Sequence, residues 1–84
     1  MDSSKSKRAE QRKHWDRAVV AIWSATRRDL DLTQQQVADK MGWSRATLAG
    51  LEAGRRKVEV SDLILFAHAV RVEPETLFRR ILRW

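Results

Sequence analysis

Arg45 is the long polar side chain at the start of the stretch GWSRATLAGLEAG, residues 42–54. It follows Ser44, a good helix-capping residue, so we expect its guanidinium to project from an exposed helix tip. From there it can donate two parallel hydrogen bonds, as to O6 and N7 of guanine. Ala49 and Gly50 reach nothing themselves, although glycine costs a helix about 1 kcal/mol relative to alanine. Such a bare flank either lets the helix backbone approach a ligand closely or avoids a clash with another protein helix.

Residue types suited to catalysis or metal binding are scarce elsewhere. There is no cysteine, and the two histidines, His14 and His68, have no acidic residue at metal-ligand spacing. No Ser-His-Asp set, glycine-rich phosphate loop or carboxylate cluster is present. We therefore expect no enzyme activity, no metal, no cofactor and no small-molecule ligand. No apolar run approaches the roughly 18 residues that span a bilayer, which predicts a cytoplasmic protein without a membrane partner.

The net charge of +6 is concentrated in two short clusters. Residues 1–13 hold five basic and two acidic residues, and Arg55, Arg56 and Lys57 form the second cluster. The remaining segments are balanced in charge. Two concentrated clusters favour a polyanionic partner, although a solvated tail and a basic turn would give the same charge.

Apolar residues recur with a helical period in five segments, and no alternating strand pattern is present. We therefore predict an all-α fold of five helices. The first helix is expected to have an inward stripe of Trp15, Val19, Ile22, Trp23 and Thr26. The chain is predicted to comprise a basic N-terminal arm at 1–13, either partly disordered or continuous with the first helix, and one domain at 14–84.

The later helices are predicted from their capping residues. Helix starts are expected at Thr33, Ser44, Ser61 and Glu73-Pro74. Thr33 is followed three residues later by Gln36, the reciprocal capping-box pattern. Gly42 can close helix two in the left-handed conformation. Trp43 and Leu48 occupy the positions of a hydrophobic staple around the Ser44 cap.

Helices two and three, joined by a short turn containing Gly42, make a helix-turn-helix unit. Ala38 is small where the two helices cross. The stretch QQQVADKMGWSRATLAGLEA at 34–53, with LT before it and GRR after it, resembles phage-type repressors and Cro proteins, the lambda-repressor-like or XRE-type family. A looser similarity extends from about Trp15 to Ile81. The resemblance implies a fold that binds double-stranded DNA with helix three in the major groove.

The resemblance also implies roles for individual residues. It assigns base contacts to Ser44, Arg45, Ala46, Thr47 and Gly50, and phosphate contacts to Gln34, Arg55, Arg56 and Lys57. It pairs Arg27 with Glu52 as a structural ion pair between helices one and three. Relatives often carry a longer polar side chain where Gly50 stands, which shifts weight here to DNA shape and phosphate contacts.

The C-terminal segment LFRRILRW holds more apolar residues than one small core is expected to absorb. We therefore predict a homodimer interface formed by Leu77, Phe78, Ile81, Leu82 and Trp84, with Arg79, Arg80 and Arg83 on the outer side. A two-fold dimer would place two recognition helices about 34 Å apart, which predicts a palindromic site. The arm at 1–13 either follows the DNA backbone or remains a solubilising tail.

These features predict a sequence-specific transcriptional regulator, either a repressor or an autoregulatory controller. The resemblance extends to Cro-like regulators, restriction–modification controllers and antitoxins, and the sequence does not choose among them. The alternative is an antitoxin or protein-interaction adaptor with the same fold, whose basic clusters would meet an acidic protein surface. A regulatory protein partner is compatible with either hypothesis.

Overall fold

The computed structural model describes residues 3–84, with side chains from residue 6 onward, and this part of the chain contains five α-helices and no strand. The helices are α1 (Ser3–Asp29), α2 (Gln34–Met41), α3 (Arg45–Glu52), α4 (Val60–Ala69) and α5 (Pro74–Leu82). The predicted all-α fold is confirmed. Of the basic arm, residues 1 and 2 and the Lys5 side chain lie outside the described part.

The core forms where α1 packs against α3 and α5, while α2 packs against α3 and α4. At its centre Trp23 of α1 is fully buried and stacks on Phe66 of α4, with ring centroids 4.0 Å apart. Trp43 lies nearly parallel to Trp23 at 6.1 Å. Because Trp43 belongs to the α2–α3 turn, these three rings hold that turn against the rest of the core.

The predicted caps around the helix-turn-helix unit are confirmed. The Gln36 backbone N–H donates to Thr33 Oγ1 at 3.1 Å, and the Thr33 N–H donates to Gln36 Oε1 at 2.8 Å. Gly42 ends α2 with a φ of +70°, and the next N–H, of Trp43, donates to the Ala38 carbonyl at 2.8 Å. The short turn between α2 and α3 is therefore fixed by local hydrogen bonds and by one left-handed residue.

The predicted start of α4 at Ser61 is wrong. The helix begins at Val60 with Glu59 as its N-cap. The Glu59 backbone N–H donates to Asp62 Oδ2 at 3.0 Å, and Asp62 is buried to 7% exposure. This bond satisfies the free N–H at position 59, so the helix starts before the serine. Pro74 stands at the start of α5, as predicted.

The predicted inward position of Trp15 is also wrong, since its side chain is 41% exposed. At 27 residues α1 is about 40 Å long, longer than the other helices can cover. The apolar stripe therefore runs past the end of the core, whose first residue on α1 is Ala18. Within residues 3–84, no helix combines the length and apolar character that crossing a bilayer requires.

The C-terminal helix differs from its predicted arrangement. Leu77 and Ile81 are buried in the core of the single chain, so they offer no surface to a partner. Arg80 does not lie on the outer side, because its Nη1 donates to Thr26 Oγ1 of α1 at 2.8 Å. Of the residues predicted for a dimer interface, Leu82 and Trp84 are exposed and Phe78 is half-buried.

Candidate nucleic-acid interface

The tip of α3 presents one long cationic side chain. The Ser44 hydroxyl accepts from the Thr47 backbone N–H at 3.1 Å, which confirms the predicted cap, and it lies 2.9 Å from the Thr47 hydroxyl. Ala46 and Arg45 are exposed, and Arg45 has no ion-pair partner among the described side chains. The guanidinium of Arg45 is thus free to donate to an external acceptor.

Gly50 lies half-buried on α3, and nothing in the described part of the chain requires its small size. A Cβ added there would meet no atom within 4 Å, and its φ is not in the left-handed region. Hence the small size of Gly50 is not needed to prevent a clash with another helix of the described chain. The open space beside it is available to whatever binds against α3.

The predicted Arg27–Glu52 ion pair is confirmed. Arg27 Nε and Nη2 each donate to a Glu52 carboxylate oxygen at 2.8 Å, and the Arg27 Nη1 donates to the Leu32 carbonyl at 2.8 Å. The Gln34 amide donates to Glu52 Oε1 at 3.3 Å. These bonds join the end of α1, the start of α2 and the end of α3.

The environment of Glu52 stabilises its charged form. Burial alone would raise the pKa of this carboxyl, but the hydrogen bonds from Arg27, Gln34 and Ser24 outweigh burial and lower the pKa. The hydrogen bond to Glu52 raises the pKa of Arg27 in turn. The pair therefore remains ionised, as a charged pair, beneath the surface that α2 and α3 share.

Gln34 keeps a donor for a second partner. An amide carries two N–H groups, and the bond to Glu52 uses one of them. The side chain is half-buried at the first position of α2. For its predicted contact with a DNA phosphate, Gln34 therefore has one amide N–H available, which the bond to Glu52 orients.

The basic loop after α3 divides into two kinds of residue. The Arg56 guanidinium lies 4.5 Å from the centre of the Trp43 ring and 3.8 Å from Asp62 Oδ2, contacts that the sequence analysis missed. Arg55 and Lys57 are exposed and make no ion pair within the described part of the chain. The Arg55 N–H donates to the Gly50 carbonyl at 2.8 Å, which fixes the loop directly against α3.

One surface contains the exposed tip of α3 and the free cations of the loop that follows it. The buried Arg27–Glu52 pair lies beneath this surface. Residues 25–77 match the family model described as helix-turn-helix. The chain belongs to this helix-turn-helix family, of the XRE type. Membership of this family supports the interpretation of the chain as a DNA-binding transcriptional regulator. Among residues 6–84, no group of three acidic or histidine side chains could hold a metal ion.

Several solved structures share the fold of this helix-turn-helix chain. A mutant of the restriction-modification controller protein C.Esp1396I has a TM-score of 0.78 and 22% sequence identity, and the match covers 82% of this chain and 92% of that one. The clp gene regulator ClgR from C. glutamicum has a TM-score of 0.74 and 24% identity, covering 81% and 88%. No curated protein has a matching sequence.

Proposed function

We propose that this helix-turn-helix protein is a sequence-specific regulator that binds double-stranded DNA with α3 in the major groove. The observation that carries the proposal is the α3 surface itself, where the unpaired Arg45 projects beside the open space at Gly50. Membership of the helix-turn-helix family supports DNA as the ligand. An arginine at the start of a recognition helix is well placed to bond a guanine edge in two places.

Base contacts would come from the first turns of α3. Arg45 donates to guanine O6 and N7, while Ala46 and the Thr47 methyl group lie against a thymine methyl. The Ser44 and Thr47 hydroxyls bond each other at 2.9 Å, which orients the Thr47 methyl group. Gly50 adds no contact of its own, but it lets the α3 backbone sit close to the DNA, so shape contributes to specificity.

Phosphate contacts would come from both sides of α3. Gln34 offers its remaining amide N–H at the start of α2, and Arg55 and Lys57 offer free cations after α3. The Arg56 guanidinium packs on the Trp43 ring, so it would contact phosphate less directly than Arg55 and Lys57 do. These contacts position α3 without carrying sequence information.

The regulator is further proposed to act as a homodimer on a palindromic operator. Exposed apolar residues remain at the C-terminal end, where Leu82 is 66% and Trp84 50% exposed beside the half-buried Phe78. A second exposed apolar face lies on α4, at Val60 and Leu65. We assign the interface to the C-terminal end because Leu82 there is the most exposed large apolar side chain of the described chain.

The proposed role is that of a repressor or autoregulatory controller. One structural neighbour is a restriction-modification controller protein and the other a clp gene regulator, which supports a regulatory role for the shared fold. An adaptor or antitoxin would use the same basic surface to meet an acidic protein.

The experiment is selection of sites from a random duplex library by the purified protein at about 150 mM salt. The proposed function predicts an enriched palindrome with guanine at matching positions of both half-sites. An adaptor would enrich no sequence, and any DNA it retained would be released as salt rises, because non-specific binding is electrostatic.

A further inference from the structure

A groove of about 890 Å³ lies between α1 and the loop that joins α3 to α4. Its lining contains six basic and two acidic side chains, so it carries an excess of positive charge. The basic residues are Lys13, Arg17 and Arg28 from α1, and Arg55, Arg56 and Lys57 from the loop. One of the acidic residues, Glu52, is already paired with Arg27.

The cations on the α1 side of this groove form no ion pair within the described part of the chain. Lys13 and Arg17 are exposed and one helical turn apart, and no ion pair joins either of them to a side chain in residues 6–84. Of the acidic lining, Asp16 is exposed to solvent. Cations that face each other across a groove repel, so their arrangement favours an anion between them.

Part of the lining of the groove is apolar. Val20, Ala21 and Val58 are half-buried there, so each leaves part of its surface open to the groove. A strand of DNA backbone alternates anionic phosphates with apolar sugars. The cations of the lining can bind the phosphates of such a strand, while its apolar residues can contact the sugars.

The groove is also continuous with the surface proposed to bind DNA. Arg55 and Lys57 belong both to its loop wall and to the proposed phosphate contacts. The bond from the Arg55 N–H to the Gly50 carbonyl, 2.8 Å long, ties that wall to α3. A backbone that passes α3 and the loop would therefore run on towards α1.

We propose that this groove binds the phosphate backbone of DNA flanking the half-site, with Lys13 and Arg17 supplying phosphate contacts beyond the reach of α3. The inference rests on the proposed function, since it requires DNA on the α3 surface. It extends the backbone contacts of each protomer beyond the reach of α3 and its following loop. It also gives the α1 surface at Lys13 and Arg17 a defined role in affinity.

The test compares two duplexes, the selected site alone and the same site with about six additional base pairs on each side. The double variant Lys13→Gln/Arg17→Gln is measured beside a matched control, Arg79→Gln/Arg83→Gln. The control removes two exposed cations with the same spacing, Arg79 in α5 and Arg83 at its C-cap, neither of which lines the groove. Thermal unfolding of both variants checks that the fold is retained.

The proposal predicts that the wild-type protein binds the flanked duplex more tightly and that the groove variant loses this preference. Each phosphate contact contributes about 0.9 to the salt slope. Between 50 and 200 mM salt the affinity of the variant for the flanked duplex should therefore fall less steeply than that of the wild type, by about tenfold for each half-site and about a hundredfold for the dimer. On the short duplex, the variant and the control should both bind as the wild type does.

Three results would overturn the inference. A variant that loses affinity equally on both duplexes would place Lys13 and Arg17 within the core site. A wild-type protein without flank preference, together with an unaffected variant, would leave the groove to an acidic protein segment. Failure of the wild-type protein to bind any duplex would instead overturn the proposed function and this inference with it.

Discussion

Arg27 and Glu52 meet through two parallel hydrogen bonds of 2.8 Å, from the Nε and Nη2 atoms to separate carboxylate oxygens. Both side chains are largely buried, at 13% and 7% exposure. Since Arg27 also bonds the Leu32 carbonyl and Glu52 accepts from Gln34, one pair fixes three segments of the helix-turn-helix unit. This charged contact therefore supplements the core packing that orients α3 relative to α1.

Acid should weaken this contact. The pKa of Glu52 is lowered in the folded protein, so the unfolded state takes up more protons and the free energy of unfolding decreases as the pH is lowered. The contribution is complete above the ordinary carboxyl pKa of 4.5 and is lost as pH drops through the lowered value. Glu52→Gln should reduce the free energy of unfolding at pH 7 by about 1.5–3 kcal/mol. Urea unfolding at pH 7 and pH 3 measures both effects.

The matched control for that experiment is Glu75→Gln, at an exposed carboxylate in the first turn of α5. We expect a change within about 0.5 kcal/mol, as for most surface substitutions. An acid-induced loss of stability that stays the same in the Glu52→Gln protein would show that other carboxylates govern it.

Arg45→Ala should cost about 1–3 kcal/mol on the selected operator and relax preference at one base pair of each half-site. The reason is the loss of a bidentate bond to guanine from an otherwise unpaired guanidinium. Binding is measured on the operator, on operators changed at that base pair and on random duplex. An equal drop on all of them would make Arg45 a phosphate contact.

Lys57→Ala should weaken binding to every sequence alike and make the dependence on salt shallower by about one. Its ammonium group is exposed and free of ion pairs in the described chain, so it acts as a point charge towards phosphate. The slope is taken from affinities between 50 and 200 mM salt, with Arg79→Ala as the control cation. An unchanged slope would remove Lys57 from the interface.

Gly50→Ala should stabilise the free protein by about 0.5–1 kcal/mol, since the new methyl group meets no atom within 4 Å. The same change at Gly54, where φ is +78°, should destabilise it, because alanine is strained in that conformation. Despite its greater stability, the Gly50→Ala protein should bind the operator more weakly. Unchanged affinity would mean that the α3 backbone does not approach the DNA at this point.

Leu82→Glu should shift the protein towards monomer and weaken operator binding, because it places a charge in the proposed apolar interface. Leu65→Glu makes the same change on the exposed face of α4. Sedimentation equilibrium of both variants distinguishes the two surfaces. A monomeric Leu65→Glu protein with a dimeric Leu82→Glu protein would move the interface to α4.

Local features of the fold were predictable from the sequence. The Thr33–Gln36 capping box and the left-handed Gly42 depend on residues within a few positions of each other, and both are confirmed. The start of α4 was missed because the prediction considered the Ser61 hydroxyl and not the Asp62 carboxylate that accepts from position 59. The Arg27–Glu52 pair came from the family resemblance, since 25 residues separate its partners.

Features that depend on how distant segments meet were not predictable. Helical periodicity placed Trp15 and Ile22 on one stripe, but only the assembled core shows that the stripe outruns the other helices at Trp15. The same limit applies to Leu77 and Ile81, which periodicity identifies as apolar without showing whether they face this chain or a partner. The stacking of Arg56 on Trp43 likewise depends on where the loop folds back.

The open space at Gly50 gives the proposed regulator an easy route to new targets. A Cβ at position 50 would meet no atom of the described chain within 4 Å, so in the proposed complex a longer polar side chain could start there and reach towards the bases. After duplication of the gene, one codon change at position 50 could then alter which operator a copy binds, without a second substitution to restore stability. For the same reason, position 50 is where we would randomise the protein to engineer regulators that ignore each other's operators.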